Sequence, residues 1–348
     1  MEHPVTINTV AELEEALSRP GEADAAAMAA LQGDLMLLGA GGKMGPSLAR
    51  LAKRASEAAG VPRRVIAVAR FSDSRLMAEL AAEGIEAIQA DLLKSEDLAA
   101  LPDVPNIVYM AAKKFGTSGG MAAEAAATWA MNAYLPGRVA ERFSQSRIVS
   151  FSTGNVYPFM AAASGGATEE TPLEPVGEYG LSAMARERMF SYFSHRNGTP
   201  VALLRLNYAI DLRYGVLVDL GRKLLADMAI DVSMGAVNVI WQRDANAACL
   251  GSFAYCGTPP DVLNLTGPET LSVRWVAKEL GARLGKEPVF TGDEQATALL
   301  SNASRCTRRF GYPTVSVPTL LDWVAHWLSK GGETWDKPTK FQVRDGKF

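Results

Sequence analysis

Residues 35–51 read "LMLLGAGGKMGPSLARL". A short apolar run meets Gly39, Gly42 and Gly45 in a G-x-x-G-x-x-G pattern, and an amphipathic stretch follows. The run predicts a buried strand and the stretch after Gly45 a helix. Each glycine has a mechanical task there. One permits the tight turn, one lets backbone N–H groups approach a pyrophosphate, and one allows close helix–strand packing, with the helix N-terminus facing the anion. The turn therefore predicts a dinucleotide site formed by Gly39, Gly42, Lys43, Met44 and Gly45. The plainer alternative is a glycine-rich turn with no ligand.

Working outward, the same rhythm repeats. "RVIAVAR" precedes "DSRLMAELAAEG", "EAIQAD" precedes "SEDLAAL", and "NIVYMAA" precedes a long Ala-rich helix ending near Phe143. "SRIVSFST", "YGLSAMARERMFSYFSHR" and "PVALLRLNY" continue it. Continuous apolar strands separated by helices predict an α/β protein with a Rossmann-type, doubly wound parallel sheet. After Tyr208 the rhythm changes, which predicts a smaller C-terminal α/β substrate lobe. The expected divisions are a helical arm at 1–33, a dinucleotide-binding domain at 34–206, and the lobe with a polar tail at 207–348, some of its strands returning to the main sheet. In the arm, Thr9 and Glu12 make a capping box for "AELEEALSR", and Pro20-Gly21 stops that helix.

Composition narrows the function. Of 348 residues, 48% are apolar and 21% charged, with a net charge of −3, so a large core forms and neither nucleic acid nor a polybasic membrane anchor is expected. The cysteines Cys249, Cys256 and Cys306 lack C-x-x-C spacing and suit buried thiols in a reducing compartment. Three scattered histidines predict no metal site. The acidic N-terminus is no signal peptide, and no apolar run approaches the ~20 residues that span a bilayer. The expectation is a cytoplasmic protein acting on a small molecule. The Ala-rich face at 121–131 suits either tight internal packing or a second subunit in a homodimer.

The end of the second strand bears on the choice of dinucleotide. A carboxylate there holds the ribose 2′-OH of NAD, whereas arginine accommodates a 2′-phosphate. "VIAVARFSDS" places Arg70 at that point, with Ser72, Ser74 and Lys43 near and Asp73 three residues on. NADP(H) is expected in preference to NAD(H), which stays open.

The order of motifs resembles the extended short-chain dehydrogenase/reductases of the NAD(P)-dependent epimerase/dehydratase family, over about residues 34–330. "GAGGKMG" is similar to its glycine turn, "QADLL" to the acidic–apolar pair beside adenine (Asp91, Leu92), and "VYMAAKK" to the pair that skirts the cofactor (Ala111, Ala112). "AMNAYLPGRVAERF" matches its helix asparagine at Asn132. "FSTGNVYP" implies Thr153 as catalytic hydroxyl, and "EYGLSAMARER" implies Tyr179 as the acid/base. Asn155, and Asn207 in "RLNYAI", become candidate substrate contacts. The implied reaction is oxidoreduction at a hydroxyl or carbonyl of a sugar-like molecule. An epimerase or dehydratase with a transient ketone shares that hydride step, and a non-catalytic NADP(H) sensor is the rival from another class.

The chain departs from the resemblance at one position above all: the lysine of Tyr-x-x-x-Lys is Ala183. A free tyrosine has a pKa of ~10, so only about one in a thousand is ionised at neutral pH. Reaching that state unaided costs about 4 kcal/mol. A site without the lysine therefore favours protonating a nascent alkoxide over abstracting a proton. Two substitutes present themselves: Arg186, three residues on, and Lys113 and Lys114 in "KKFGTSGG", with Lys114 the first choice. Arg205 and Arg213 suit an anionic substrate or internal ion pairs equally. Tyr157, Tyr208, Trp241 and Trp275 read as packing aromatics, and Glu169 and Glu170 as loop charges.

Overall fold

The computed structural model describes residues 4–113 and 121–347. Seven parallel strands form one sheet: β1 (Leu35–Leu38), β2 (Val65–Ala69), β3 (Glu86–Gln89), β4 (Asn106–Tyr109), β5 (Arg147–Thr153), β6 (Val201–Leu206) and β7 (Asp261–Leu265). Their order is β7-β6-β5-β4-β1-β2-β3. The order reverses between β1 and β4, and a doubly wound sheet opens its ligand crevice there. All residues of β1, β2 and β4 are buried, which accounts for their unbroken apolar runs. β3, at the sheet edge, is only partly covered, with Glu86 and Gln89 exposed at its ends.

Thirteen helices of the described residues cover and extend this sheet. α1 (Val10–Ser18) and α2 (Glu22–Ala30) precede it; α3 (Gly45–Ala58), α4 (Ser74–Ala82) and α5 (Ser95–Ala100) link β1 to β4. α6 (Met121–Trp129) runs through a π-helical turn at Ala130–Tyr134 into α7 (Leu135–Arg142). α8 (Gly177–Asn197) joins β5 to β6. After β6 come α9 (Val216–Leu225), α10 (Gln242–Gly251), α11 (Val273–Leu284), α12 (Ser304–Phe310) and α13 (Val317–Ser329). α9, α11 and α13 share the lobe core, whereas Ala245 and Cys249 of α10 and Cys306 of α12 are buried with the main sheet.

The stretch read as an appended arm is part of the body. Leu13 and Leu17, one turn apart on α1, and Ile7 are buried in the lobe core with Trp241, Trp323 and Trp327. Met28 of α2 enters the core beneath the sheet. The capping box is shifted: Thr9 Oγ1 accepts from Glu12 N (3.1 Å), but the Glu12 carboxylate reaches back to Asn8 N (2.6 Å). The tail is irregular, as its composition implies, yet anchored. Phe341 is buried in the lobe core, and Thr339 N donates to Asp219 (2.6 Å). Among the described residues no helix is long and apolar enough to cross a membrane, and no His/Cys/Asp/Glu group is placed to hold a metal.

Candidate active site

The carboxyl ends of β1, β4, β5 and β6 open into a cleft of about 1320 Å³. That is larger than a usual small-molecule pocket of about 300–1,000 Å³, and suits a dinucleotide together with a substrate. Its floor begins at the glycine turn. Gly39 has φ +96, and a Cβ on it would meet Ala111 N at 2.5 Å, so only glycine fits where the turn passes β4. A Cβ on Gly45 would collide with the Ala40 carbonyl, whereas one on Gly42 would meet nothing closer than Gly39 O at 3.6 Å. The outer two glycines are thus required by the protein itself, and the middle one leaves open space in the cleft. Met44 caps α3 without a side-chain bond, leaving that helix end to the cleft.

Thr153 ends β5 and is buried, and its Oγ1 accepts from Asn155 N (3.2 Å) and Asn155 Nδ2 (3.1 Å). Two accepted bonds leave its own proton for donation into the cleft. Tyr179 lies in the first turn of α8 and lines the same cleft. Gly180 lets α8 come close: a Cβ there would stand 2.6 Å from Asn155 O. Tyr214 lies within electrostatic reach of Tyr179, and burial, then Asp219 and Tyr179, push its hydroxyl up to about 12. Lys43 sits 4.6 Å from the Tyr214 ring centre and donates to Ala209 O (2.5 Å). It ties the glycine turn to Ala209 and Tyr214, beyond β6.

Several residues assigned from sequence fall outside the lining. Arg70 is exposed at the end of β2, where its carbonyl accepts from Gln89 Nε2 (2.9 Å). Phe71 follows with φ +42, and this left-handed turn carries Asp73 and Arg75 over the cleft in its place. Asp91 closes a local turn by accepting from Leu93 N (3.1 Å), and Leu92 is buried among apolar neighbours. Asn132 is fully buried: it accepts from Lys113 N (2.9 Å) and donates to Lys113 O (3.0 Å) and Ser182 Oγ (3.1 Å). It clamps the exit of β4 to α8, with its amide hydrogens committed to Lys113 O and Ser182 Oγ. Ala111 abuts Gly39, while Ala112, Asn155 and Asn207 line the cleft. One amide hydrogen of Asn207 is used on Leu299 O (3.3 Å). Lys114 lies outside the described residues.

The cleft has walls that no local motif announces. Glu14 of α1 reaches it and pairs with Arg50 of α3 (2.9 Å) and with Arg213 (2.6 Å). Arg213 also pairs with Asp211 (2.7 Å) and lies 4.9 Å from the Trp335 ring of the tail. Arg205 is likewise paired, with Glu187 at 2.7 Å. Both arginines hold internal ion pairs, and Arg213 also lines the cleft. Glu169 and Glu170 face Arg305, and Tyr157 is buried with its hydroxyl on Asn264 (2.8 Å). Trp241 packs edge-on to Trp323, while Trp275 is 41% exposed.

A profile of the NAD dependent epimerase/dehydratase family matches residues 35–210, just over half of the chain. The chain belongs to this family. It is accordingly an enzyme of the NAD-dependent epimerase/dehydratase type. No curated protein sequence matches it. Among solved structures, a variant of UDP-glucuronic acid 4-epimerase from Bacillus cereus, in complex with a fluorinated UDP-glucuronic acid and NAD, is 18% identical. The likeness covers 85% of this chain and 99% of that one, with TM-score 0.71. Pal from Bacillus thuringiensis is 16% identical over 85% and 98%, TM-score 0.70. UDP-glucose 4-epimerase from Thermotoga maritima is 16% identical over 86% and 99%, TM-score 0.67. At such identities the likeness is one of fold.

Proposed function

We propose that the protein moves a hydride between a nicotinamide dinucleotide and a carbinol or carbonyl carbon of a sugar-like molecule. It would do so in an epimerase or dehydratase cycle that oxidises the substrate to a ketone and reduces it again. The observation that carries this reading is that Thr153 and Tyr179 line the same cleft as the glycine turn. The turn fits a dinucleotide, because Gly42 opens onto the cleft where Gly39 and Gly45 are closed by protein. When bound, the dinucleotide supplies acceptance and return of the hydride. Thr153 donates to the substrate oxygen, held in place by Asn155, and Tyr179 takes and returns the hydroxyl proton. Asn155 and Asn207 are the proposed substrate contacts. Glu14 from the arm and Trp335 from the tail line the cleft, which helps keep water out and cofactor in.

A net carbonyl reduction is the second reading, and Ala183 favours it, since a neutral tyrosine already has the proton that step needs. NADP(H) preference rests on Arg75 in the lining, with Arg70 on the adjoining surface; Asp73, which accepts from Arg75 N (2.9 Å), is the counterweight toward NAD(H). A cytoplasmic setting fits the free thiols Cys249, Cys256 and Cys306. The test is product analysis by NMR on nucleotide sugars with a trace of NAD or NADP. Isomerised or dehydrated sugar without accumulation of reduced dinucleotide is expected. In a second assay, with a keto-sugar and NADH or NADPH, stoichiometric consumption of reduced dinucleotide would replace the cycle with the second reading, and turnover in neither assay would reject both.

A further inference from the structure

Arg186 is 2% exposed, lies on α8 seven residues after Tyr179, and lines the cleft beside Ser152 and Met110. Its Nη1 donates to Phe151 O (2.8 Å), while Nε and Nη2 are buried with no hydrogen-bond partner. None of the ion pairs among the described residues includes it. A buried guanidinium left in this state is costly, and natural interiors pair such groups unless a ligand completes them. Ala183, one turn earlier on the same face, carries no polar atom and is packed against Val156 and Tyr157. Among the described residues, Arg186 therefore brings a cationic charge to this face of the cleft.

We propose that Arg186 is a cofactor-binding cation. Its free Nε and Nη2 donate to hydroxyl oxygens of the second ribose of the dinucleotide, the one that carries the nicotinamide. This rests on the dinucleotide reading of the cleft. The placement follows from the sheet: the crevice opens between β1 and β4, the glycine turn holds its β1 side, and Arg186 stands at the ends of β4 and β5. Its fixed charge also stands on the face of α8 that bears Tyr179, where negative charge develops when the hydroxyl gives up its proton.

The test compares two fragments by calorimetry: ADP, which ends before the second ribose, and ADP-ribose, which contains it, or their 2′-phosphorylated forms if NADP is the better ligand. In the wild type, ADP-ribose binds more tightly than ADP. Arg186→Met removes about tenfold or more from ADP-ribose affinity and leaves ADP affinity unchanged. Arg186→Lys recovers part of the loss. The melting temperature of Arg186→Met stays level or rises, because an unpaired buried charge has been replaced by an apolar chain of similar length. Equal losses for both fragments, or no loss for either, overturn the proposal. If the wild type binds neither fragment, the dinucleotide reading itself has failed, a distinct outcome that also removes this role for Arg186.

Discussion

Neighbouring residues of α8 face β5 in opposite electrical states. Glu187 accepts from Ser152 Oγ (2.6 Å) and pairs with Arg205 (2.7 Å), both partners nearly inaccessible. Arg205 also donates to Tyr157 Oη (2.6 Å), whose own proton goes to Asn264. Burial alone would lower the Arg205 pKa, but Glu187 holds it above its ordinary value; burial pushes the Tyr157 hydroxyl up to about 12. The network is closed. Among the described residues, Arg186, one residue earlier, has a single hydrogen-bond partner, the Phe151 carbonyl. A closed network fixes the end of β5 and so the height of Thr153. An open one has capacity left for a ligand.

The largest expected effect sharpens the functional side. Tyr179→Phe should lower turnover about 10²–10⁴-fold while dinucleotide affinity and the unfolding midpoint hold. Equal turnover would remove Tyr179 from the chemistry. Next comes the structural side: Glu187→Gln strips Arg205 of its counter-charge and should cost about 3–5 kcal/mol in urea unfolding. A loss as small as that of a surface substitution would show that the Arg205 network is not closed as drawn, and the contrast with Arg186 would collapse.

The smallest effect lies at the surface. Arg54 holds the Glu15 carboxyl down to about 2 against the opposing pull of burial, with help from Arg19. Its folded pKa is below its unfolded one, so the stabilisation is present above about 4.5 and fades as pH falls toward 2. The side chain is 41% exposed, so Glu15→Gln should cost only a few tenths of a kcal/mol at neutral pH. Unfolding midpoints of the two proteins should converge on acidification.

Much of the fold could be read because its signals are local. The run at 35–38 and the glycines after it dictate strand, turn and helix within a few residues. The site was legible where chain order sets position, as for Thr153 at a strand end and Tyr179 at a helix start. It was obscure where distant segments meet. Leu13 and Leu17 show an apolar face but not the lobe that covers it, and Glu14 gives no hint that it meets Arg213. Arg75 could not be foreseen beside Arg70, because Phe71 adopts a left-handed backbone that phenylalanine rarely takes, and Arg75 lines the cleft beyond it. Asn132 sits where the motif implies, yet its hydrogen bonds turn inward.

The most direct test of the account is a matched titration of the wild-type protein with NADH and NADPH, read by tryptophan fluorescence, since Trp335 lines the cleft. Saturable binding of one dinucleotide per chain, displaced by ADP-ribose, is expected. Failure of both dinucleotides to bind would contradict it at the glycine turn, and the roles of Thr153, Tyr179 and Arg186 would fall with it.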